Sequence, residues 1–280
     1  MDNTVFLLVL FSAILHAIWN SMASKYKNKN VSIPAIVYGH VPACIIAVII
    51  LPLPSPESFP YIILSALIHQ GYQNFLLSAY QTGKFTTVYP VARGFGPLVA
   101  TVISIIFLGL HLKFHTLLSI LLISSGVILI GLFSKSVIKN YKILYTSLST
   151  GIFIGLYSVV DGYGARISMS AISYMSWVFI FSALLFPIVL RFRKQKNILK
   201  KTLTEGKVVF WVGGLFSYIA YVITVWAFTQ ASIPAVSALR ESSIIFALFI
   251  GYFYLKDRIN TYKIFSIILI FLGVIGLKLF

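Results

Sequence analysis

Two stretches of the sequence, SILLISSGVI at Ser119–Ile128 and SIILIFLGVI at Ser266–Ile275, are near copies of one another, with seven of ten positions identical and an offset of 147 residues. The same offset places Arg93 on Arg240. Apolar similarity arises easily between membrane helices, but the coincidence of an arginine and a glycine at one offset does not follow from hydrophobicity. The chain is therefore predicted to contain an internal repeat.

The composition excludes a water-soluble globule. Of the 280 residues, 59% are hydrophobic and only 10% are charged, whereas an ordinary soluble domain has about 25% charged residues. Much of the apolar surface must therefore face lipid. The single cysteine, Cys44, lies in an apolar run, where it is expected to pack rather than to form a disulfide bridge.

Ten segments of the chain are long and apolar enough to cross a bilayer, which requires roughly 20 such residues in a helix. The segments are 4–23, 31–51, 60–80, 86–108, 114–133, 143–164, 170–190, 208–228, 234–255 and 263–279. The longest polar connector, residues 191–207, is too short for a catalytic domain. The predicted fold is an all-α polytopic membrane protein.

The repeat divides the ten predicted helices into five plus five, with boundaries at residues 1–137 and 138–280. Because five is an odd number, the second copy enters the membrane in the opposite sense to the first, which makes the repeat inverted. Inverted repeats build a site near the bilayer midplane in secondary transporters, which alternate access around it. Transport is therefore the leading functional class.

The positions of the basic residues predict the orientation. The connectors after helices 1, 3, 5, 7 and 9 hold 17 Lys and Arg, while the opposite side holds only Lys113, Arg166 and Lys278. The richer side stays in the cytoplasm, so both termini are expected outside it, in a plasma membrane (the inner membrane if the source is bacterial). The net charge of +16 lies in these connectors, which favours an anionic bilayer surface over nucleic acid as the partner.

Several motifs resemble the EamA-type branch of the drug/metabolite transporter superfamily along essentially the whole chain. They are HAIWN at His16–Asn20, YPVARGFGP at Tyr89–Pro97, YSVVDGYGAR at Tyr157–Arg166 and ALRESS at Ala238–Ser243. The resemblance implies a ten-helix transporter, in a superfamily that carries amino acids, nucleotide sugars, choline-like amines and drugs. Many relatives are thought to keep their termini in the cytoplasm, which is the reverse of the orientation predicted from the charges.

Four ionisable residues lie inside predicted spans, where burial is costly and function is the default expectation. They are Arg93, Asp161, Arg240 and Glu241, so two arginines match two carboxylates. Arg240 and Glu241 point about 100° apart on a helix and are expected to reach different neighbours. The four form structural ion pairs, or at least one carboxylate binds substrate or a proton. Asp161 has a further structural alternative, because Arg166 lies one turn beyond it.

The stretch around Arg93 is unusually rich in proline and glycine for a membrane span. Pro90 and Pro97 bracket Gly94 and Gly96, which favours either a kink or short unwound stretch that lines a cavity, or a simple packing kink. The equivalent helix of the second repeat has only Pro234, near its start. That helix is therefore expected to be continuous.

Uncharged polar residues mark two further helices. His16, Trp19 and Asn20 share one face of helix 1, and helix 3 carries a polar run that includes His69 and Gln73. Exposure to lipid would leave their donors and acceptors unsatisfied, so these side chains are expected to point inward. Each histidine either bonds a neighbouring helix or contacts substrate.

Four aromatic residues fall in mid-span rather than at the interface: Trp19, Tyr157, Tyr221 and Trp226. If several of them converge on one of the buried carboxylates, they form a cage suited to a cationic amine. Periodicity alone does not decide whether they converge.

These observations predict a secondary transporter for a small polar metabolite, either amino-group-bearing or zwitterionic, because a carboxylate and a guanidinium together match an ammonium and an acid group. The alternatives are an exporter of cationic amines or drugs, and a non-transporting membrane enzyme or accessory protein. No catalytic, metal or cofactor motif is expected. A coupling proton or cation is expected as a further partner, and the protein is expected to be a monomer or a homodimer. The candidate binding or coupling residues are Glu241, Arg93, Arg240, Asp161, His16, Trp19, Asn20, His69, Gln73, Tyr89, Tyr157 and Trp226.

Overall fold

The computed structural model describes residues 1–26, 28–83, 85–133, 140–195, 197–255 and 260–279. Its helices are α1 (Asn3–Lys25), α2 (Lys29–Gly39), α3 (Val41–Ile50), α4 (Phe59–Thr82), α5 (Phe85–Leu108), α6 (Phe114–Leu132), α7 (Tyr141–Ile167), α8 (Ala171–Phe192), α9 (Ile198–Thr204), α10 (Gly214–Gln230), α11 (Ile233–Arg240), α12 (Ser243–Leu255) and α13 (Thr261–Leu279). A π-helical turn, Val209–Gly213, precedes α10. The all-helical expectation is confirmed for the described residues.

Nine helical stretches within the described ranges are long and apolar enough to cross a membrane. They are Asn3–Ser24, Asn30–Ile50, Val88–Leu108, Phe114–Leu132, Tyr141–Ile167, Ala171–Phe192, Val209–Gln230, Ile233–Ile250 and Thr261–Leu279. The remaining predicted span is α4, which has 24 residues but carries the polar run around His69 in its middle. A span in α4, and with it the ten-helix count, stays a prediction.

Two of these stretches are interrupted, although the sequence predicts both as continuous. α2 and α3 are separated at His40, and α11 and α12 at Glu241 and Ser242. The second interruption is a pair of tight turns, in which the amide of Glu241 bonds the carbonyl of Ala238 at 2.9 Å and the amide of Ile244 bonds the carbonyl of Glu241 at 3.0 Å. Short 3₁₀-like turns inside a helix are typical of hinges.

One of the two alternatives predicted around Arg93, a short unwound stretch, is wrong. α5 is continuous and contains both Pro90 and Pro97. Its glycines serve close helix packing instead: a Cβ on Gly94 would lie 3.0 Å from the carbonyl oxygen of Ser124 in α6. Small residues let backbones approach in membrane proteins, so these glycines position α5 rather than open it.

α6 and α13 pack against one another through a reciprocal contact. A Cβ on Gly126 would lie 2.7 Å from the carbonyl oxygen of Ser266, and a Cβ on Gly273 would lie 2.7 Å from that of Ser119. Each residue of the first contact is 147 positions from its counterpart in the second. A two-fold axis between two inverted halves would produce such a reciprocal contact. The repeat itself stays a prediction, and its boundary between 137 and 138 falls outside the described residues.

Candidate functional site

A narrow cavity of about 60 Å³ lies among α1, α2, α4, α7, α8, α10 and α11. It is lined by the following residues: His16, Trp19, Ile33, Ile36, Val37, His40, His69, Tyr72, Gln73, Leu76, Tyr157, Phe179, Ser217, Tyr221 and Arg240. Six of the twelve candidate residues are therefore brought together at one place. The cavity touches both interrupted spans, through His40 at the first and Arg240 beside the second.

α1 contributes one wall of the cavity. The rings of His16 and Trp19 meet edge to face with centroids 4.9 Å apart, as their spacing on one helical face allows. The amide of Asn20 instead donates to the carbonyl of His16 at 2.9 Å. His16 and Trp19 therefore line the cavity, whereas Asn20, which is also buried, satisfies the helix backbone.

Arg240 meets an imidazole rather than a carboxylate. Its Nη2 lies 3.1 Å from Nδ1 of His16, and its guanidinium carbon lies 4.9 Å from the ring centroid of Tyr221. Arg240 is 5% exposed, and in the described part of the chain no carboxylate lies within 4.0 Å of it. This differs from the expected matching of two arginines with two carboxylates.

Arg93 and Glu241 form a forked ion pair away from the cavity lining. Nε of Arg93 donates to Oε2 of Glu241 at 2.9 Å, and Nη2 lies 2.9 Å from Oε1. Both residues are buried. The pair joins α5 to the turn between α11 and α12, so it ties the two predicted repeats together at the hinge.

Asp161 is fully buried and lies behind His69. The hydroxyl of Tyr221 donates to its Oδ2 at 2.6 Å, Nε2 of His69 lies 3.3 Å from the same oxygen, and the hydroxyl of Tyr174 lies 3.4 Å from Oδ1. Arg166, the alternative partner, donates to the carbonyl of Phe228 instead. The Asp161 carboxylate and the His69 imidazole are thus in contact, and His69 is the member of this pair that lines the cavity.

The aromatic residues converge only in part. Tyr157 stacks on His69 with centroids 4.4 Å apart and lines the cavity with Tyr221. Trp226 is half-buried and does not line it. Tyr89 stacks on His16 from outside the lining, at 6.2 Å. The rings of Tyr157 and Tyr221 surround the cavity, whereas the predicted cage was centred on a buried carboxylate.

Nine of the fifteen lining residues are absent from the sequence-based candidates. Four of the nine are aliphatic, and the others are Tyr221, which the sequence analysis named only as a mid-span aromatic, and His40, Tyr72, Phe179 and Ser217. Tyr72 lies in the polar run of α4 that the sequence analysis identified, and His40 lies two residues before Pro42, which is in the first turn of α3. Those two had a local signal. Phe179 and Ser217 had none, because only helix packing turns their sides of α8 and α10 toward the cavity.

A close backbone contact lies beside the first interruption. A Cβ on Gly39 would lie 2.2 Å from the carbonyl oxygen of Phe210 and 2.9 Å from Cα of Gly214, so the end of α2 rests directly on the backbone of the π-helical turn. π-helical turns are frequent at functional sites. No group of three or more His, Cys, Asp or Glu within the described ranges is placed to hold a metal ion.

Comparison with known proteins agrees with this fold. A solved structure titled "Crystal structure of protein" matches 100% of this chain and 98% of its own length, with a TM-score of 0.74 and 16% sequence identity; at that identity the likeness shows the fold alone. No curated protein sequence matches the chain significantly. Residues 142–279 match the EamA-like transporter family. The second half of the chain is therefore similar to the EamA-like transporter family, part of the drug/metabolite transporter superfamily.

Proposed function

We propose that this chain is a secondary transporter that moves a small zwitterionic metabolite across the membrane by alternating access. The observation that carries the proposal is the place of the cavity: helices of both predicted repeats line it, and each interrupted span contributes a residue to it. Transport sites of inverted-repeat proteins lie at the repeat interface and use discontinuous helices. In this proposal α4 is the tenth span, with its polar run facing the cavity.

The cavity is contracted in this structure. Its volume of about 60 Å³ is below the roughly 300–1,000 Å³ of most small-molecule sites, so a bound metabolite requires lining helices to move. α2 is the moving wall in this proposal, because it supplies Ile33, Ile36 and Val37 and ends at an interruption. Asn30, near its start, accepts side-chain hydrogen bonds of 2.7 Å from Gln81 and Gln195, and such outlying polar contacts break at small cost.

The lining chemistry suits a zwitterion. The guanidinium of Arg240 attracts an acid group, while the rings of Tyr72, Tyr157 and Phe179 attract an ammonium group through their faces. An exporter of cationic amines would use the aromatic rings alone, and Arg240 would then repel its substrate. This difference makes the two candidates separable by charge.

Flux into proteoliposomes tests the function. Amino acids are expected to equilibrate faster than into protein-free liposomes, and simple amines of the same size are expected to be carried more slowly. Faster carriage of amines than of zwitterions would favour the cationic alternative. Flux equal to that of protein-free liposomes for all these solutes would contradict transport and favour an enzyme or accessory protein.

A coupling proton is assigned in this proposal to Asp161 and His69. Glu241 is also a sequence-based candidate, but the fork of Arg93 occupies both of its oxygens. Asp161 faces one base, His69, and the hydroxyls of Tyr174 and Tyr221. A proton that enters or leaves through the cavity would change the charge of this pair.

The membrane orientation is testable by reporters placed at both ends of the chain. Fusions before Asp2 and after Phe280 are expected to report the outside, as is an insertion near Lys113, while one near Lys196 is expected to report the cytoplasm; Lys196 and Phe280 lie outside the described residues. Termini on opposite sides of the membrane would mean an odd number of spans, and α4 would then not be counted as a span. A complete reversal would contradict the charge count of 17 to 3.

A further inference from the structure

Four buried side chains that line the cavity each hold a hydrogen-bonding nitrogen that has no protein partner, and one of them is His40. The other three, His16, Trp19 and Arg240, form one cluster through the contacts of His16 and have exposures of 2%, 6% and 5%. The atoms concerned are Nε2 of the imidazole, Nε1 of the indole and Nε of the guanidinium. Buried polar atoms in native proteins almost always have a partner, so three together on residues of one cavity require an explanation.

All three atoms are donors. A guanidinium and an indole carry no acceptor. Since Nη2 of Arg240 is a donor, Nδ1 of His16, 3.1 Å away, accepts a hydrogen bond from it. The neutral imidazole then carries its own hydrogen on Nε2. The cluster therefore offers three N–H groups and no acceptor atom.

The cluster also carries a positive charge without a matching negative one. Both oxygens of Glu241 are bound by Arg93, and Asp161 is bound by tyrosines and His69. Within the described ranges, no carboxylate lies within 4.0 Å of Arg240. A water molecule fits the cavity and accepts hydrogen bonds, but it leaves the charge uncompensated. What satisfies both conditions is an anionic oxygen group.

We propose that His16, Trp19 and Arg240 form the subsite that binds the acid group of the substrate, a carboxylate or another oxyanion on a small molecule. The inference deepens the proposed function, because it assigns one end of the zwitterion to named atoms. The other end has a partner as well: the amide nitrogen of Gln73 donates to Ser182 at 3.2 Å, and its oxygen has no donor. That oxygen accepts from the ammonium group of the substrate.

Ligand-dependent thermal stabilisation of the purified full-length protein tests the subsite. Each of the twenty amino acids is compared with its own carboxamide, since the amide keeps size and ammonium charge but loses the anion. At least one amino acid is expected to raise Tm, and its amide to bind about 10- to 100-fold more weakly. Inorganic phosphate is the second probe: if it competes, the subsite accepts tetrahedral oxyanions too, and if it does not, carboxylates are its ligands.

Two variants with matched controls locate the binding. Trp19→Phe removes one donor and keeps the ring, and Arg240→Lys keeps the charge but not the fork; each is expected to weaken binding several-fold. Trp226→Phe and Arg166→Lys make the same changes away from the cavity and are expected to bind as the parent protein does. Equal binding of acids and amides, or unchanged binding in both cavity variants, would overturn the proposal.

The outcome separates the subsite from the transport function. Selective binding of acids without flux into proteoliposomes would refute transport and leave the subsite intact. Flux of carboxamides as fast as that of amino acids would refute the subsite and leave transport intact. Because Trp19→Phe is a mild change, the test stands even if Arg240→Lys fails to fold.

Discussion

Replacing Glu241 by alanine is expected to lower the free energy of unfolding by about 3–5 kcal/mol, because it leaves the guanidinium of Arg93 buried without its counter-charge. The two nitrogen–oxygen distances of 2.9 Å make this carboxylate the direct counter-charge of the guanidinium. Reversible unfolding in mixed detergent measures the loss. Glu57→Ala, at an exposed site, is the control and should change stability by less than about 0.5 kcal/mol.

The double variant Arg93→Met, Glu241→Met separates a structural pair from a binding pair. Apolar side chains of similar volume often replace a buried ion pair without loss, so the double variant should recover most of the stability lost in Glu241→Ala. Recovered stability together with normal substrate binding would establish a structural role. A double variant no more stable than Glu241→Ala would contradict the interpretation of the pair as a mutual charge balance.

The interruption at Glu241 illustrates what local sequence does not encode. Arg240, Glu241, Ser242 and Ser243 include no proline or glycine, so the segment predicts a continuous helix. The contact that holds the turn is the pair with Arg93, 148 residues away in the chain. Pairing of residues at such separation depends on the packed helices, and a sequence pattern within one span carries no trace of it.

The opposite error occurred in α5, where local signals suggested a break that the fold does not contain. Pro90 and Pro97 are tolerated because membrane helices accommodate prolines when neighbouring groups satisfy the backbone. Gly94 and Gly96 give close contact with α6 and with Ile154 of α7. The residues were correctly identified as unusual, but their role is packing.

Helical periodicity correctly predicted which residues share one face of a helix. It did not predict which face of a helix turns toward the cavity. His16 and Trp19, three residues apart, do line one cavity. Tyr221 lines it too, whereas Trp226, five residues later, is turned about 140° around the helix and does not. The sequence alone gave no reason to prefer one face of α10, since both carry aromatic rings.

The predicted repeat can be compared with the structure at one contact. The offset of 147 residues relates Ser119 to Ser266 and Gly126 to Gly273, and the structure brings these four residues into two equivalent contacts. A Cβ at either glycine would lie 2.7 Å from a backbone carbonyl oxygen, which has no freedom to move aside. Steric demand therefore accounts for a glycine at both positions of the α6–α13 contact.

Replacing Asp161 by asparagine is expected to abolish substrate accumulation driven by a pH gradient, while exchange of labelled for unlabelled substrate persists. Asparagine keeps the shape of the side chain and still accepts from the hydroxyl of Tyr221, which lies 2.6 Å from Oδ2, but it neither binds nor releases a proton. Uptake into proteoliposomes with and without an imposed gradient measures the first quantity, and counterflow without a gradient measures the second.

The neighbours of Asp161 provide graded controls for this experiment. His69→Gln removes the base 3.3 Å from the carboxylate and should also uncouple uptake from the gradient, because the proton is held between the two groups. Tyr174→Phe removes only a contact of 3.4 Å and should leave coupling nearly unchanged. Gradient-driven accumulation that survives in both Asp161→Asn and His69→Gln would mean that the pair is a fixed structural bond, since a carrier of the coupling proton cannot be replaced by groups that do not titrate.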